Sequence, residues 1–323
     1  MESIVDTHNP GLLENFISEG YKVPFCLSVA GLDPSGGAGL LSDIKSFEAQ
    51  GVYGLAVMTC NTLQTDQEIK SVNWQPEEVI LSSIELLASR YKIRCVKIGA
   101  LKDLCMLQAV LRQIKKTCPN ALVIWDPIMK ASVGNSLLYL SLEDLRGVHA
   151  KDWKTVLSCI DLVTPNSIEA SQLSVLTGLN KYGSEVAELN LLDPHMRLLC
   201  METGTAILLK GGHLEDTEVV DRLYMPTKGE AEASSVQCYL FKGEPSLRSL
   251  PKDKAEKHGS GCVHSSTIAA LLAKGYALEV AASMAKHYMN SYLHRSVGRL
   301  AMHAAIHETL YTNVENDKTI LIK

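Results

Sequence analysis

Short apolar runs alternate with longer segments of helical periodicity through most of the chain. The apolar runs predict strands, at residues 25–30, 55–60, 95–98, 122–125, 160–164 and 206–210, with two weaker strands at 219–224 and 235–240. The intervening pattern predicts helices at residues 40–49, 77–87 and 104–115, and a later helix is predicted at 277–296. Strands that alternate with helices in this way predict an α/β fold with a parallel sheet.

A glycine turn near the end of this pattern runs directly into another predicted helix. The turn reads His258-Gly259-Ser260-Gly261-Cys262, and the apolar residues 267–274 predict the helix. Gly259 and Gly261 allow positive φ and close approach of the backbone to a ligand. Free N–H groups at a helix start bind phosphate, and the helix dipole favours the thiolate of Cys262. The simpler interpretation of this motif alone is a helix cap with a buried cysteine.

The turns that follow the predicted strands carry most of the remaining polar motifs. Residues 31–39 are rich in glycine, but they lack the lysine of a P-loop and the third glycine of a dinucleotide fingerprint. Asp126, Asn166 with Glu169, and Lys210 follow the fourth, fifth and sixth predicted strands. Carboxylates there suit Mg²⁺, while lysine and glycines suit nucleotide phosphates. Each motif alone is equally consistent with a cap or a solvated turn, but together they predict a phosphoryl-transfer site.

Composition narrows the class of protein without choosing a function. The chain has 323 residues, of which 46% are apolar and 21% charged, which suits a globular fold with a large core. A net charge of −5, with no run of Lys or Arg longer than a pair, argues against a nucleic-acid surface. Nine cysteines without a Cys-x-x-Cys pair favour a reducing cytoplasm, and no segment reaches the roughly 18 apolar residues of a membrane span. We expect a cytoplasmic protein with small-molecule ligands, an N-terminal extension at residues 1–22 and a single domain at 23–323.

The motifs together resemble one known family. Residues 28–40 look like the first signature of the hydroxymethylpyrimidine/phosphomethylpyrimidine kinases of thiamine biosynthesis. Later blocks keep the family's order and spacing: Lys97-Ile98-Gly99, Asp126-Pro127-Ile128-Met129, Thr164-Pro165-Asn166 with Glu169, Lys210-Gly211-Gly212-His213 and the glycine turn. The resemblance covers roughly residues 25–275, and pyridoxal kinases are near neighbours of the family. It implies a ribokinase-like α/β fold with a mostly parallel central sheet, helices on both faces, ATP and Mg²⁺, and a homodimer.

The resemblance also implies which residues bind the substrate. Asp43 and Gln64 match positions that bind the aminopyrimidine. Gly31, Ala38 and Ile128 match positions that line its pocket. These five positions form the expected substrate-binding set.

A second set of positions corresponds to the nucleotide side of the site. Asp126 and Glu169 match the acidic positions near the metal. Asn166, Lys210 and Gly212 match positions that contact ATP. The resemblance therefore places the Mg²⁺ and ATP contacts at the ends of three successive strands.

The glycine turn matches the catalytic part of the family's site, namely Gly259, Ser260, Gly261 and Cys262. Cys262 stands where the wider superfamily usually carries a catalytic aspartate. An alcohol that attacks ATP must lose a proton, and we expect Cys262 to act as the base for that first step. The second step attacks through a phosphate oxygen that is already largely ionised at neutral pH, so it needs no base.

Ala100 departs from the family, because many members carry methionine after Lys-Ile-Gly. The smaller side chain reshapes the predicted substrate pocket and keeps a pyridoxal or pyridoxine kinase open as the main alternative. A sugar kinase fits less well without an aspartate in the glycine turn. Two alternatives remain. The intact acidic and lysine positions disfavour a non-catalytic pyrimidine-binding regulator, and the missing third glycine disfavours a dinucleotide oxidoreductase.

Overall fold

The computed structural model describes residues 23–129, 149–180, 188–213, 219–227, 235–244, 257–303 and 320–322. The predicted extension at residues 1–22 lies outside these described residues. The strands within them are β1 Phe25–Leu32, β2 Tyr53–Gln64, β3 Ile69–Trp74, β4 Ile93–Ile98, β5 Leu122–Trp125, β6 Leu162–Val163, β7 Ala206–Leu209, β8 Val220–Thr227, β9 Ser235–Lys242, β10 Ser296–Val297, β11 Leu300–Ala301 and β12 Ile320–Ile322.

Ten of these strands form one sheet in the order β12-β9-β8-β7-β6-β5-β4-β1-β2-β3. The centre is parallel: β1 pairs with β2 and β4, and the parallel pairing continues through β5 and β6 to β7. The pairs at both margins of the sheet are antiparallel. At one margin β2 pairs with β3, and at the other β7 pairs with β8, β8 with β9 and β9 with β12. The predicted parallel α/β sheet is therefore confirmed. Its parallel strands bring their carboxyl ends to one edge, where the polar motifs follow.

The described helices are α1 Gly39–Ala49, α2 Glu77–Arg90, α3 Leu104–Thr117, α4 Ala150–Leu157, α5 Ser167–Leu176, α6 Leu189–Thr203, α7 Ser260–Ala273 and α8 Leu278–His294. They cover both faces of the sheet. Successive strand residues point to opposite sides, so each strand packs against helices on both faces. In β1, Leu27 packs in the core beneath α2 and α3, whereas Cys26 packs in the core beneath α1, α7 and α8.

Some predicted boundaries differ from the structure. The fifth predicted strand, 160–164, is only Leu162–Val163. The helix predicted at 277–296 ends at His294, because Ser296 pairs with Ala301 in the β10–β11 hairpin. β3 was not predicted, since as an edge strand it has no continuously apolar face.

Candidate active site

The glycine turn forms an open helix N-terminus. Gly259 is the N-cap of α7, has φ +75°, and no side chain caps the helix. A Cβ on Gly259 would lie only 2.0 Å from the backbone oxygen of Gly37, so the turn crosses the glycine-rich loop at residues 31–39 in direct contact. By contrast, Asp103 caps α3 and Asn166 caps α5 through their side chains. The Ser260 N–H bonds to the Lys257 carbonyl at 3.3 Å, but no described side chain caps the N–H groups that follow, so the start of α7 can bind an anion through its backbone.

Lys210, at the end of β7, connects the glycine turn to the acidic residues. Its ammonium lies 2.9 Å from Oδ1 of Asp126 and 3.9 Å from Oε2 of Glu169. A Cβ on Gly261 would lie 3.2 Å from the same nitrogen. Thr164 donates to Oδ1 of Asp126 as well, at 3.2 Å. The structure thus brings three predicted site residues, Asp126, Glu169 and Gly261, around the ammonium of a fourth, Lys210.

The buried charges at this point affect one another's pKa values. Burial raises the pKa of the Asp126 carboxyl, but the ammonium groups of Lys210 and Lys97 outweigh burial, so its net pKa is lowered. Burial raises the pKa of the Glu169 carboxyl to about 7, where Asp126 reinforces the shift and Lys210 opposes it. Burial lowers the pKa of Lys210, but Asp126 and Glu169 outweigh it, so the net pKa is raised. Lys210 and Asp126 are therefore both charged at neutral pH.

Asp43 lies within a buried ion pair rather than on an open surface. Its carboxylate oxygens each lie 3.0 Å from the ammonium of Lys97. Ser28 donates to Oδ2 at 2.5 Å, and Ser266 donates to Oδ1 at 2.6 Å. Both Asp43 and Lys97 are fully buried. The predicted contact between Asp43 and the substrate stays a prediction, and the structure shows the Asp43 carboxylate as the counter-charge of the Lys97 ammonium.

Cys262 is in the first turn of α7, as the sequence predicts, and its side chain is buried. Burial raises the pKa of its thiol to about 12; Asp126 and Asp43 add to this shift, while Lys97 and a hydrogen bond from the Gly39 backbone oppose it. The helix start alone does not produce a thiolate at neutral pH. A proton-accepting role for Cys262 therefore depends on only a small fraction of ionised thiol.

Gln64 lies at the end of β2, and its amide nitrogen is 3.1 Å from Nε2 of His258. The same ring nitrogen lies 2.7 Å from Oδ2 of Asp33. Asp33 in turn accepts hydrogen bonds from the backbone of Ala38, at 2.9 Å, and from Ser35. The glycine-rich loop, the glycine turn and β2 are thus joined by side chains at this side of the site.

The other predicted residues lie at the same sheet edge. Gly31 is in β1, and a Cβ there would lie 2.7 Å from Sγ of Cys60. Ile128 follows β5 and is partly buried. Asn166 and Glu169 bond reciprocally at the start of α5, with distances of 2.9 and 2.7 Å. Gly212 is in a single 3₁₀ turn after β7, and among the described residues no atom lies within 4 Å of the position its Cβ would take.

A second buried ion pair bonds to the backbone of this 3₁₀ turn. Asp221 in β8 accepts from the backbone of Gly211 at 2.8 Å and lies 2.8 Å from the ammonium of Lys286 in α8. Burial raises the pKa of Asp221, but Lys286 outweighs burial and the net pKa is lowered. This charge pair was not found by sequence reasoning.

The acidic residues suit magnesium that arrives with a nucleotide. In the described part of the chain, no group of three His, Cys, Asp or Glu side chains converges on one point. Mg²⁺ in phosphoryl transfer is usually held by one or two carboxylates together with phosphates and water. Asp126 and Glu169, both contacting Lys210, match that donor set. The residues present therefore fit a magnesium ion bound with ATP.

Comparison with known proteins decides the family. Residues 33–307 match the phosphomethylpyrimidine kinase family. The chain belongs to the phosphomethylpyrimidine kinase family. The hydroxymethylpyrimidine/phosphomethylpyrimidine kinase of Rhizobium meliloti is 32% identical over 269 residues, which cover 82% of this chain and 88% of that protein.

Two solved structures are similar to this member of the phosphomethylpyrimidine kinase family. Phosphomethylpyrimidine kinase from Clostridium difficile aligns with a TM-score of 0.60 and 26% identity, covering 83% of this chain and 98% of that one. An ADP complex of Bacillus subtilis pyridoxal kinase aligns with a TM-score of 0.68 and 23% identity, covering 88% and 98%. The fold is ribokinase-like, as the sequence resemblance implies. No helix among the described residues is long and apolar enough to cross a membrane.

Three charged or polar residues beside the candidate site, Lys97, Asp33 and His258, are not predicted from the sequence. They lie within the sequence motifs, which predict no role for them. A lysine within the apolar run 95–98 is a usable signal, because a buried ammonium requires a counter-charge. The partners of Asp33 and His258 could not be identified, since the two residues are 225 positions apart.

Proposed function

We propose that this chain is a kinase that transfers a phosphoryl group from ATP to 4-amino-5-hydroxymethyl-2-methylpyrimidine, and then to the resulting monophosphate. The observation that carries the proposal is the juxtaposition of the uncapped start of α7 with the ammonium of Lys210 next to Gly261. Backbone N–H groups and an ammonium at one point stabilise a transferring phosphoryl group. The family and the names of its members supply the substrate class.

The nucleotide side of the proposed site consists of Asp126, Glu169, Asn166, Lys210 and Gly212. Asp126 and Glu169 hold Mg²⁺, which when bound neutralises charge on the transferring phosphates. Lys210 stays charged between the two carboxylates and orients toward the glycine turn. No atom of the described residues lies within 4 Å of a Cβ on Gly212, which leaves room for a phosphate next to the backbone. These residues position the phosphoryl group, which is most of what this reaction requires.

The pyrimidine side of the proposed site is lined by Gly31, Ala38, Gln64 and Ile128. Gln64 supplies the polar contact to the ring. The resemblance also assigns Asp43 to this side of the site, where its carboxylate is bonded to Lys97 and to two serines. The glycine turn then lies between the pyrimidine side and the nucleotide side.

Cys262 accepts the proton of the hydroxymethyl group in the first transfer. Its thiolate is a minor species in the free enzyme, because burial raises the pKa of the thiol to about 12. In the second transfer the attacking phosphate oxygen is already ionised, since its second pKa is about 6. The same anion site therefore serves both transfers, while only the first depends on Cys262.

One observation favours pyridoxal as an alternative substrate. Ala100 is near Gly31, where a Cβ would lie 3.9 Å from the alanine side chain. The small residue leaves more room at this wall than the methionine that the family resemblance implies. Pyridoxal is also a flat ring with a hydroxymethyl group, so Ala100 is the residue that would admit it.

The proposal also includes a cytoplasmic homodimer whose main domain begins at residue 23. All nine cysteines lie in described residues as free thiols, which supports a reducing compartment. Light scattering coupled to gel filtration measures the assembly state, and a mass near twice 35.3 kDa is expected.

Mass spectrometry of products tests the function. The purified chain is incubated with MgATP and either 4-amino-5-hydroxymethyl-2-methylpyrimidine or pyridoxal. We expect the pyrimidine to gain first one and then two phosphates. Phosphate transfer to pyridoxal alone would replace the proposal by the alternative, and absence of transfer to either compound would leave neither standing.

A further inference from the structure

One imidazole nitrogen contacts both a carboxylate and an amide at the edge of the candidate site. Nε2 of His258 is 2.7 Å from Oδ2 of Asp33 and 3.1 Å from the amide nitrogen of Gln64. His258 and Asp33 are nearly inaccessible to solvent, with 2% and 3% of their surface exposed. A Cβ on Gly37 would lie 2.7 Å from the His258 ring, so the loop backbone packs directly against the imidazole. The ring therefore has little freedom to move.

Asp33 can only accept hydrogen bonds in this setting. Its oxygens accept from the backbone of Ser35 and of Ala38 and from the Ser35 hydroxyl, each at 2.9 Å. Burial raises the pKa of the Asp33 carboxyl, but the bonds from His258 and Ser35 outweigh burial and the net pKa is lowered. An ionised carboxylate has no proton to donate. The short contact to His258 therefore requires the proton to be on Nε2.

The position of this proton determines the orientation of the Gln64 amide. Nε2 of His258 carries an N–H group, so it cannot accept a hydrogen bond from the amide NH₂ of Gln64. A half-turn of the amide places its oxygen at this contact, where it shares the N–H with Asp33 in a three-centre bond. Nδ1 of His258 is buried and has no partner among the described residues, so none of these residues competes for the proton there.

We propose that His258, held by Asp33, is a positioning residue that fixes the amide of Gln64 with its oxygen toward the imidazole and thereby selects a 4-aminopyrimidine over a 4-oxopyrimidine. The inference rests on the proposed function. The other edge of the Gln64 amide presents the second lone pair of the oxygen and, beside it, an N–H donor. The oxygen can accept from an exocyclic amine, while the N–H donates to the unprotonated ring nitrogen next to that amine. A 4-oxopyrimidine presents the reverse order, because its ring nitrogen carries hydrogen and its exocyclic atom is an acceptor.

The test measures kcat/KM for two compounds with MgATP: 4-amino-5-hydroxymethyl-2-methylpyrimidine and its 4-oxo analogue. We expect the unmodified chain to prefer the amino compound by about a hundredfold or more. His258→Leu removes the shared N–H and is expected to reduce this preference by about tenfold or more. His258→Gln places an NH₂ near the former Nε2 and is expected to keep the preference. His195→Gln, the same substitution in the middle of α6, is the matched control. It is expected to leave the preference for the amino compound unchanged.

The outcomes separate the inference from the function on which it rests. If His258→Leu slows both compounds equally and the preference stays the same, His258 is merely structural and the inference is wrong. If the unmodified chain phosphorylates neither pyrimidine, the proposed function is wrong, and the inference that rests on it is overturned with it. ¹⁵N NMR of the unmodified chain gives a second readout that does not require a folded variant. We expect His258 to carry its proton on Nε2, and a neutral ring protonated on Nδ1 would overturn the inference.

Discussion

The ammonium of Lys97 lies 3.0 Å from both carboxylate oxygens of Asp43, and neither side chain is exposed to solvent. Ser28 of β1 and Ser266 of α7 donate to the same carboxylate. Four elements, β1, α1, β4 and α7, therefore meet at one buried charge pair. Ser266 is one helical turn after Cys262, so the pair also fixes the helix that begins at the glycine turn.

Asp43→Asn is expected to destabilise the protein by about 3–5 kcal/mol, because it leaves the Lys97 ammonium buried without a counter-charge. Urea denaturation measures the free energy of unfolding. The double variant Asp43→Leu with Lys97→Met removes both charges and is expected to recover much of that loss. An Asp43→Asn protein of unchanged stability with a raised KM for the pyrimidine would instead favour direct substrate contact by Asp43.

Gly259→Ala and Gly204→Ala form a matched pair, because the two glycines have φ values of +75° and +71°. In the described part of the chain no atom lies within 4 Å of a Cβ on Gly204, so only the backbone strain of about 1 kcal/mol is expected there. A Cβ on Gly259 meets the Gly37 oxygen at 2.0 Å, so a loss of roughly 3 kcal/mol or more is expected. Thermal unfolding measures the stability of both variants. Equal losses of stability would show that the glycine turn does not pack tightly against the glycine-rich loop.

Lys210→Met is expected to lower kcat by about two to three orders of magnitude, because it removes the cation that faces the glycine turn. Steady-state kinetics with MgATP measures the change. Lys154→Met is the control, since Lys154 bonds to Glu202 at the surface and is expected to leave kcat unchanged. A Lys210→Met enzyme that folds and keeps its kcat would remove Lys210 from the proposed site.

Cys262→Ala is expected to slow the first phosphorylation by about two to four orders of magnitude, because only that step needs a base. The second phosphorylation, measured with the monophosphate as substrate, is expected to change by less than about tenfold. An equal loss in both steps would mean that Cys262 contributes through the anion site alone. An unchanged first step would mean that it is not the base.

The pH dependence of the two steps is expected to differ in the unmodified enzyme. Burial raises the pKa of the Cys262 thiol to about 12, so the thiolate fraction at neutral pH is small. Below that pKa the fraction grows roughly tenfold per pH unit, and the first step is expected to accelerate from about pH 6.5 to 8.5. The Cys262→Ala variant, assayed over the same range, is expected to lose this rise.

The strands and the start of α7 could be predicted from the sequence, because their signals are local. The apolar run 122–125 is the strand Leu122–Trp125, and Gly259 of the turn directly precedes α7, which begins at Ser260 and includes Gly261. The strand predicted at 160–164 is too long, since only Leu162 and Val163 pair with β5 and β7.

The side-chain contacts of the site could not be predicted in the same way. Asp43 and Lys97 are 54 positions apart, and Asp33 and His258 are 225 apart, so only the folded sheet brings each pair together. The resemblance identified Asp43 as a site position but not its buried partner. The sequence motif favours a thiolate at Cys262, but burial, which the motif does not show, raises the pKa of its thiol to about 12.

A ³¹P NMR time course of the purified chain with MgATP and 4-amino-5-hydroxymethyl-2-methylpyrimidine tests the central claim most directly. The account predicts a pyrimidine monophosphate signal that rises and then falls as a diphosphate appears, with ATP converted to ADP in step. A time course in which the pyrimidine gains no phosphate, or stops at the monophosphate however long the reaction runs, would contradict it.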